Sequence, residues 1–338
     1  MKVGIHHREG SFTDRWIYYC KSQNIPFVQV DCHASEIIKT LQQEKVTHLM
    51  WHLNHLSVKD KMTFPYVLNS ADAMGVKTFP NFNTRWHFDD KVAQKYFMEA
   101  IKAPYIKSHA FYTREEALSY IETTQFPLVA KLKGGAGSTN VKLLNSKQEA
   151  EIYIDTLFTV GIKSINKPLD NLDQKLRVAK QVKNPVVLLK KTVGFVKRMN
   201  KERAMSQAEV GYVYFQQFLP NNDFDTRIIT VGDKAFGIRR FTHENDFRAS
   251  GSGKIDYTAS GIDSKMISVA FQISDVIGAQ SLAYDFVYDE NETPKIVEIC
   301  FGFSMKAYDK CEGFWDKNLQ FHKGPFNPQE FMIKDFLA

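Results

Sequence analysis

The sequence predicts an α/β protein, with a small parallel β-sheet near its N-terminus and mixed helices and strands after it. Three observations support this fold class. Strand-like and helical segments alternate over the first part of the chain, a glycine-rich loop follows a strand near residue 134, and two strands near the C-terminus each contain one acidic residue. The first observation predicts the fold class, and the other two indicate where polar functional residues lie in the sequence.

Strand-like segments alternate with helical ones at the start of the chain. Short apolar runs at residues 2–5, 27–30 and 48–51 are typical of buried strands. Helical segments lie between them, and one begins near Ser11. Strands that alternate with helices form parallel sheets through right-handed crossovers. Residues 1–88 are therefore predicted to form a small α/β domain.

The remainder of the chain mixes helices and hairpins. A helix is predicted at residues 89–101, and the pattern over 104–144 predicts a strand, a helix, a strand, a glycine loop and a strand. Residues 150–208 are predicted to be mainly helical. The elements predicted from residue 211 onward are strands at 213–215, 226–231 and 235–238, a hairpin turn at 231–234, a helix at 264–279, and strands at 282–288 and 295–300.

Composition places the chain among globular proteins. Its 338 residues suffice for two or three domains, and hydrophobic and charged residues make up 43% and 24% of it, an ordinary balance. The sequence contains no run of the roughly 18 apolar residues that a membrane span needs, and its start lacks the apolar segment of a secretion signal. We therefore expect a cytoplasmic protein.

The cysteines and histidines show no metal-binding spacing. Cys20, Cys32, Cys300 and Cys311 are far apart and form no CxxC pair, which argues against a zinc finger or a disulfide scaffold. The histidines are scattered and include no HExxH pattern. Buried or incidental thiols are the simpler interpretation.

Positive charge is concentrated in one segment. The net charge is +6, but residues 160–205 contain 12 lysines and arginines and only three acids. We predict a basic helical insertion at about 155–208, which contacts an anionic carrier or acceptor, or a membrane surface. A solvated helical face explains such a run equally well. Because no nucleic-acid motif accompanies the charge, nucleic acid is not an expected partner.

A strand ending in lysines precedes the glycine loop. Phosphates require backbone N–H groups at close range, which glycines allow, and a cation to offset their charge, which Lys131 supplies. The spacing is not that of a Walker A loop, and taken alone an ordinary turn is the more frequent explanation. The small residues of this loop are Gly134, Gly135, Gly137 and Ser138.

Two further segments suit a nucleotide and an anion. A strand that enters a polar linker can offer its backbone to a purine, and a later carboxylate can bind ribose hydroxyls, although an edge strand and a capped loop are the alternative. The residues concerned are Gln216, Gln217, Phe218, Leu219, Asp223 and Asp225. Arg240 and Arg248 precede a second loop of small residues that includes Ser250 and Gly251. Guanidinium groups bind carboxylates and phosphates through two hydrogen bonds, but solvated arginines explain this pattern as well.

Two acids lie within apolar strands near the C-terminus. Asp285 and Glu298 are predicted to be on adjacent strands of one hairpin. A lone carboxylate is costly to bury unless something neutralises it. Two converging acids form the oxygen-donor site that Mg²⁺ prefers, whereas side chains pointing to solvent are the alternative.

Taken together and in this order, these features resemble the ATP-grasp superfamily, which includes D-alanine–D-alanine ligase, glutathione synthetase and the ribosomal-protein glutamate ligases. The resemblance covers about residues 89–298. It implies two α+β ATP-grasp domains, at 89–215 and 216–338, after the N-terminal domain at 1–88. It also implies ATP and Mg²⁺ as cofactors.

The resemblance further implies roles for individual residues. Lys91 and Lys131 are similar to the two lysines that contact ATP phosphates, and residues 134–138 to the mobile loop above them. Residues 216–219 are similar to the hinge that binds adenine. The remaining implied assignments are the ribose for Asp223 or Asp225, the metal for Asp285 and Glu298, and the substrate for Arg227, Arg240, Arg248, Ser250 and Gly251.

The sequence departs from the family pattern in two places. Cys300 stands where the family usually has an asparagine that completes the metal site, which leaves the number of Mg²⁺ ions open. Ser250 stands where the ligases often have asparagine. Residues 301–316 are similar to a set of ATP-grasp proteins associated with bacterial surface-polysaccharide synthesis.

The predicted activity is ATP-dependent amide formation between a carboxylate and an amine through an acyl phosphate. Lys91, Lys131 and Mg²⁺ offset the charge of phosphoryl transfer, and Arg240 and Arg248 hold the acyl phosphate during attack by the amine. The predicted acceptor is a carboxylate of a surface polysaccharide or its precursor, and the amine an amino acid or a related compound. Two alternatives stay open, a peptide or protein amino-acid ligase and an inactive nucleotide-binding scaffold.

Overall fold

The computed structural model describes residues 1–135, 140–163, 207–242, 247–249 and 253–338. The helices of this part of the chain are α1 (Phe12–Ser22), α2 (Ile37–Gln43), α3 (Val58–Ala73), α4 (Phe82–Arg85), α5 (Lys91–Ala100), α6 (Arg114–Thr123), α7 (Lys147–Phe158), α8 (Ser264–Ile277) and α9 (Pro328–Leu337).

The strands of the described residues assemble into three larger sheets and one short ladder. They are β1 (Val3–His6), β2 (Phe27–Val30), β3 (His48–Trp51), β4 (Lys77–Phe79), β5 (Ser108–Phe111), β6 (Leu128–Lys131), β7 (Val141–Leu144), β8 (Ile162–Lys163), β9 (Ala208–Glu209), β10 (Val213–Gln217), β11 (Phe224–Val231), β12 (Lys234–Phe241), β13 (Ile255–Asp256), β14 (Ser281–Tyr288), β15 (Pro294–Cys300), β16 (Gly313–Asp316) and β17 (Phe321–Lys323).

The N-terminal sheet is parallel, as predicted, with the strand order β2–β1–β3–β4. Strands β1 and β3 are buried at every residue, which explains why they are continuous apolar runs rather than alternating ones. Helix α1 begins where the Ser11 hydroxyl accepts a hydrogen bond from the backbone N–H of Thr13. Its Phe12 and Trp16 side chains are fully buried in the core of this sheet.

Helix α9 contacts helix α1 and adds to the same core. Its Met332, Ile333 and Phe336 side chains are buried. The ring of Phe336 lies 5.7 Å from that of Phe79 in β4 and 5.2 Å from that of His48 in β3, measured between centroids. The N-terminal sheet is therefore covered in part by the last helix of the described chain.

The second sheet is antiparallel and has its own core. Its order is β5–β10–β6–β7, and helices α6 and α7 pack on it. Its core contains Leu128, Ala130, Ile154 and Phe215. Strand β10 extends to Gln217, so it continues past the predicted boundary between residues 215 and 216.

The third sheet is the largest and is also antiparallel. Its order is β15–β14–β11–β12–β16–β17, and β13 pairs with β12. The predicted hairpin at 231–234 is present, since Val231 pairs with Lys234 between β11 and β12. Helix α8 packs on β11 and β14 through buried Ile267, Ala270 and Ile277.

The segment predicted to be mainly helical is only partly described. Helix α7 ends at Phe158, and the short strands β8 and β9 pair with each other at the two ends of the segment. The predicted basic insertion, residues 164–206 in particular, lies outside the described residues. Within the described part of the chain, no helix is both long and apolar enough to span a bilayer.

Candidate active site

A cleft of about 1170 Å³ lies among the three sheets. Its size exceeds that of most small-ligand pockets and leaves room for a nucleotide and a second molecule. Residues of the second and third sheets line it, together with residues of the loops that follow β1 and β3 of the first sheet. The predicted site residues that line the cleft are Lys91, Lys131, Gly135, Gln216, Gln217, Phe218, Leu219, Asp223, Asp225, Arg227, Arg240, Arg248, Asp285 and Glu298.

Lys131 ends strand β6 and faces the neighbouring strand β10. Its Nζ donates a hydrogen bond of 2.6 Å to Oε1 of Gln216, and both side chains are buried. Burial lowers the pKa of Lys131 to about 8, and the nearby Lys91 acts in the same direction. An anion that binds in the cleft would favour the charged form of Lys131 and raise its pKa.

Lys91 is the first residue of helix α5, where Asp90 caps the helix by accepting a hydrogen bond from the N–H of Ala93. The Lys91 Nζ lies 3.4 Å from a carboxylate oxygen of Glu298 and donates to the carbonyl oxygen of Gly135 at 2.8 Å. Burial opposes the charged form of Lys91, but Glu298 and Asp89 outweigh it and raise the pKa of the lysine. The two predicted phosphate lysines therefore differ in their electrostatic surroundings.

The glycine loop presents backbone N–H groups to carboxylates. Gly135 donates to Oδ1 of Asp89 at 2.9 Å, and Gly134 donates to Oε1 of Glu209 at 3.3 Å. Amide groups that donate to carboxylate oxygens have the chemistry needed to hold phosphate oxygens. The other two loop residues of the prediction, Gly137 and Ser138, lie outside the described residues.

Two arginines and two acids form a buried ion-pair network, here called the cleft arginine network. Arg227 donates to Asp285 from Nε at 2.5 Å and from Nη2 at 2.6 Å. Arg240 donates to Asp225 at 2.6 and 2.5 Å, and its Nη2 lies 2.9 Å from Oδ2 of Asp285. Burial alone would raise the pKa of Asp285, but the two arginines outweigh it and hold this pKa well below the usual range.

The two predicted metal carboxylates are directly opposite each other. Asp285 in β14 pairs with Glu298 in β15, as the sequence predicts for a hairpin. Both are hard oxygen donors at the same end of the cleft, and the donor set therefore fits Mg²⁺. Asp285 shares its oxygens with arginines, whereas the Glu298 side chain is 28% exposed. Their role as ligands stays a prediction.

The predicted adenine and ribose residues occupy the same wall of the cleft. Gln217, Phe218 and Leu219 line it where β10 ends. Asp225 is engaged by Arg240, so Asp223 is the better placed of the two candidates for a ribose hydroxyl. Arg248 also lines the cleft, but Ser250 and Gly251 lie outside the described residues.

Sequence reasoning missed one cluster at the edge of the cleft, formed by His55, Asp89 and Cys300. The Nε2 atom of His55 lies 3.0 Å from the sulfur of Cys300, and its Nδ1 atom lies 3.4 Å from Oδ1 of Asp89. Burial lowers the pKa of His55, but Cys300 and Asp89 outweigh it and raise this pKa to about 10. No sequence signal joins His55 to Cys300, because 245 positions separate them.

Comparisons with known proteins identify the fold. The sequence matches no protein-family model and no curated protein. A RimK-domain ATP-grasp protein from Sphaerobacter thermophilus matches the structure with a TM-score of 0.57 at 13% identity, over 99% of both chains. D-cycloserine synthetase matches with a TM-score of 0.59 at 10% identity, over 99% of this chain and 100% of that one. D-alanine–D-alanine ligase from Bacillus anthracis matches with a TM-score of 0.57 at 10% identity, over 100% and 97%.

The chain therefore has the ATP-grasp fold, and the predicted fold class is confirmed. The likeness of fold extends over nearly the whole length of each chain. At 10–13% identity the likeness is one of fold, so the activity has to be argued from the cleft itself.

Proposed function

We propose that the protein is an ATP-dependent ligase that joins a carboxylate to an amine through an acyl phosphate. One observation carries this proposal: Lys91 and Lys131 line the same cleft as the opposed carboxylates Asp285 and Glu298. Cations that meet phosphate oxygens beside a paired-acid metal site are the components of phosphoryl transfer. The matched structures named as ligases share this fold, which supports the proposal.

ATP would lie between the second and third sheets. Gln217, Phe218 and Leu219 would border the adenine, and Asp223 the ribose. The phosphates would meet Lys91 and Lys131 together with the N–H groups of the glycine loop, and Mg²⁺ bound by Asp285 and Glu298 would offset their charge.

The reaction would proceed in two stages. A substrate carboxylate first attacks the γ-phosphate, and Lys131 stabilises the charge that develops on the transferred group. Arg240 and Arg248 then hold the acyl phosphate while the amine approaches, so that the oxyanion forms next to cations already in place. Arg227 contributes by keeping Asp285 ionised through two hydrogen bonds.

The proposed acceptor is a carboxylate of a surface polysaccharide or its precursor, and the proposed amine is an amino acid or a related compound. The support is the segment after β15, which resembles ATP-grasp proteins associated with bacterial surface-polysaccharide synthesis. Four residues of this segment line the cleft: Gly302, Phe303, Ser304 and Met305. A peptide or protein amino-acid ligase is the second candidate, because the matched structures include a ligase of amino acids. A bound nucleotide without turnover would indicate an inactive scaffold.

An ADP-release screen of carboxylates crossed with amines tests this function. Lys131→Met and Lys133→Met form a matched pair, because Lys133 is its near neighbour in the chain but is exposed and does not line the cleft. ADP release that needs both substrates and is lost only in Lys131→Met supports the ligase. Tight MgATP binding with no ADP release from any pair would instead support the scaffold.

The basic segment at residues 160–205 carries a separate proposal, contact with an anionic carrier or with the inner face of a membrane by a protein that is otherwise cytoplasmic. Its support is the surplus of positive charge alone. Co-sedimentation with anionic and neutral vesicles tests it. Equal recovery in both, together with an unchanged KM in a variant reversed in charge at Lys190, Lys191, Lys197 and Arg198, would show a solvated surface.

A further inference from the structure

Three hydrogen bonds join the start of the glycine loop to the start of helix α5. Lys91 donates from its backbone N–H to the carbonyl of Lys133 at 3.0 Å and from Nζ to the carbonyl of Gly135 at 2.8 Å. In the opposite direction, the N–H of Gly135 donates to Oδ1 of Asp89 at 2.9 Å. The acceptor in the third bond is therefore a side chain, which a substitution can change without altering the loop itself.

Gly135 connects the Asp89 carboxylate to the side chain of Lys91. Its N–H bonds to the carboxylate, and its carbonyl accepts the bond from the Lys91 ammonium group, which lines the cleft. The φ of Gly135 is 126°, a conformation that residues with a side chain rarely adopt. A displacement of Gly135 would therefore move the carbonyl that orients the Lys91 ammonium group.

Asp89 is held in place from the side of the N-terminal sheet. Its Oδ2 accepts a hydrogen bond of 3.3 Å from Nζ of Lys61 in α3, and its Oδ1 lies 3.4 Å from Nδ1 of His55 in the loop after β3. Only 2% of the Asp89 side chain is exposed. Burial would raise the pKa of this carboxyl group, but His55, Lys91 and Lys61 outweigh it and hold the pKa well below the usual range. The acceptor of the Gly135 bond is therefore ionised and fixed.

The backbone of Asp89 also shows that its position is imposed by its surroundings. Its φ is 55°, in the left-handed region, where aspartate and asparagine are the most frequent residues that have a side chain. A backbone of this kind persists where surrounding contacts hold it, and it is found most often at functional sites. The contacts of the carboxylate with Gly135, Lys61 and His55 are of that kind.

Competition with phosphate is the alternative role for a carboxylate bound to this loop. Gly135 and Lys91 line the cleft, whereas Asp89 lies behind them and does not line it. A phosphate that displaced the carboxylate from Gly135 would leave a buried anion without one of its donors, which is costly. A role in holding the loop is therefore the better explanation of this contact.

We propose that Asp89 is a positioning residue for phosphate binding, which acts through Gly135 to orient Lys91 towards the phosphates of the nucleotide. The inference rests on the proposed function, because it takes Lys91 as a ligand of those phosphates. Asp89 itself does not touch the nucleotide.

Two replacements of Asp89 separate its acceptor oxygen from its charge. Asparagine keeps an oxygen at this place and glycine removes it, and both suit a φ of 55°. We expect Asp89→Gly to weaken MgADP binding by about 10- to 100-fold, the usual worth of a hydrogen bond to a charged group. Asp89→Asn should stay close to wild type because it keeps the acceptor.

Adenosine shows whether the effect is specific to the phosphates. It has the base and the ribose of ADP but no phosphate, so all three proteins should bind it equally. Calorimetric titration of the whole chain with MgADP and with adenosine measures both affinities. A substitution that only loosened the fold would weaken the binding of both ligands.

Lys102→Gly and Asp60→Asn are the matched controls. Lys102, just after the other end of α5, has a similar φ of 54° and an exposed side chain. Asp60 is a buried acid whose partners are the N–H of Asn54 and the ring of His33. Both variants should bind MgADP as wild type does. Melting curves set a temperature at which each protein is folded, and Asp89→Ser, with a side chain one atom shorter, is measured in place of an unfolded Asp89→Gly.

Three results would overturn the inference. MgADP binding by Asp89→Gly that equals wild type would show that the contact does not position Lys91, and tighter binding would show competition between carboxylate and phosphate. Equal weakening of MgADP and adenosine would show a general loss of structure. Equal weakening in Asp89→Asn and Asp89→Gly would assign the effect to the charge.

The outcome is separable from that of the proposed function. A wild type that binds no MgADP removes the proposed function. A wild type that binds MgADP, and loses this binding in Lys91→Met but not in Asp89→Gly, keeps the proposed function and removes the role of Asp89.

Discussion

Two groups of buried arginines differ in what surrounds them. Arg85, near the N-terminal sheet, is 1% exposed and donates to the hydroxyl of Thr78, the carbonyl of Pro80, the amide oxygen of Asn69 and the carboxylate of Asp72. We call this group the core arginine network. In the cleft arginine network the side chains of Arg227 and Arg240 are 19% and 10% exposed, and each of them is likewise paired with a carboxylate.

The difference between the two networks is the space they border. The hydrogen-bond partners of Arg85 lie at most 16 residues from it in the chain, and Arg85 does not line the cleft. Arg227 and Arg240 border a cavity of about 1170 Å³, where a ligand can take the place of a partner. Pairing with a carboxylate therefore does not by itself separate a structural charge from a functional one; whether the charge borders a cavity that a ligand can enter does so.

The largest expected effect is on stability, from loss of the core arginine. Arg85→Met leaves the buried carbonyl of Pro80 and the buried hydroxyl of Thr78 without their donor, and we expect a loss of about 2–4 kcal/mol in the free energy of unfolding. Urea unfolding measures it. Arg114→Met, which removes an exposed ion pair with Asp155, is the control and should change little. A small effect of Arg85→Met would remove the distinction between the networks.

The next effect is on activity, from loss of a cleft arginine. Arg240→Met should lower ADP release by about 100- to 1,000-fold, the usual consequence of removing a preorganised donor, when the comparison is made at a temperature at which the melting curve shows the variant folded. Arg239→Met is its matched control, since Arg239 pairs with Asp256 and does not line the cleft. Equal losses in both variants would contradict a role for the cleft.

A smaller effect on stability is expected at Lys131. Its folded pKa of about 8 is below the unfolded value, so the folded state opposes protonation; this cost is fully present below pH 8 and disappears as the pH rises above it. Lys131→Met should therefore be more stable than wild type at pH 7 by about 1–2 kcal/mol. The difference should shrink towards pH 10. Chemical unfolding of both proteins at several pH values measures this difference in stability. A difference that grows with pH would contradict a lowered pKa for Lys131.

The smallest expected effect is on nucleotide affinity. Phosphates favour charged Lys131, which below pH 8 already carries its proton but above pH 8 must bind one from solution. The Kd for MgADP should thus rise with pH above 8, by at most about tenfold per unit. Calorimetric titration of wild type, Lys131→Met and Lys133→Met checks this. A slope that persists in Lys131→Met would assign the dependence to another group.

The fold could be predicted from the sequence wherever contacts between neighbouring segments determine the structure. Buried parallel strands such as β1 and β3 are continuous apolar runs, and the pairing of Asp285 with Glu298 follows from two strands joined by a short turn. The end of β10 was harder to predict from the sequence. The backbone N–H of Gln217 donates a hydrogen bond to the carbonyl of Lys107, which is distant in the chain, and this contact extends the strand.

The candidate site was accessible only in part. The cleft residues named from motifs do converge, but the partners that set their charge states do not appear in any motif. Lys131 meets Gln216 through the pairing of β6 with β10, and Asp285 meets two arginines through its neighbours in the third sheet. His55 reaches Cys300 only because the loop that follows β3 lines one side of the cleft. Such pairs depend on tertiary structure, which spacing along a chain does not encode.

The position of helix α9 has a consequence for folding during synthesis. The strands of the N-terminal sheet leave the ribosome before those of the other two sheets, yet the helix that buries Phe336 against Phe79 and His48 is made after all three. Until then this sheet lacks part of its apolar cover and is exposed to non-native association. A sheet that is translated before the other two is thus completed only after both of them.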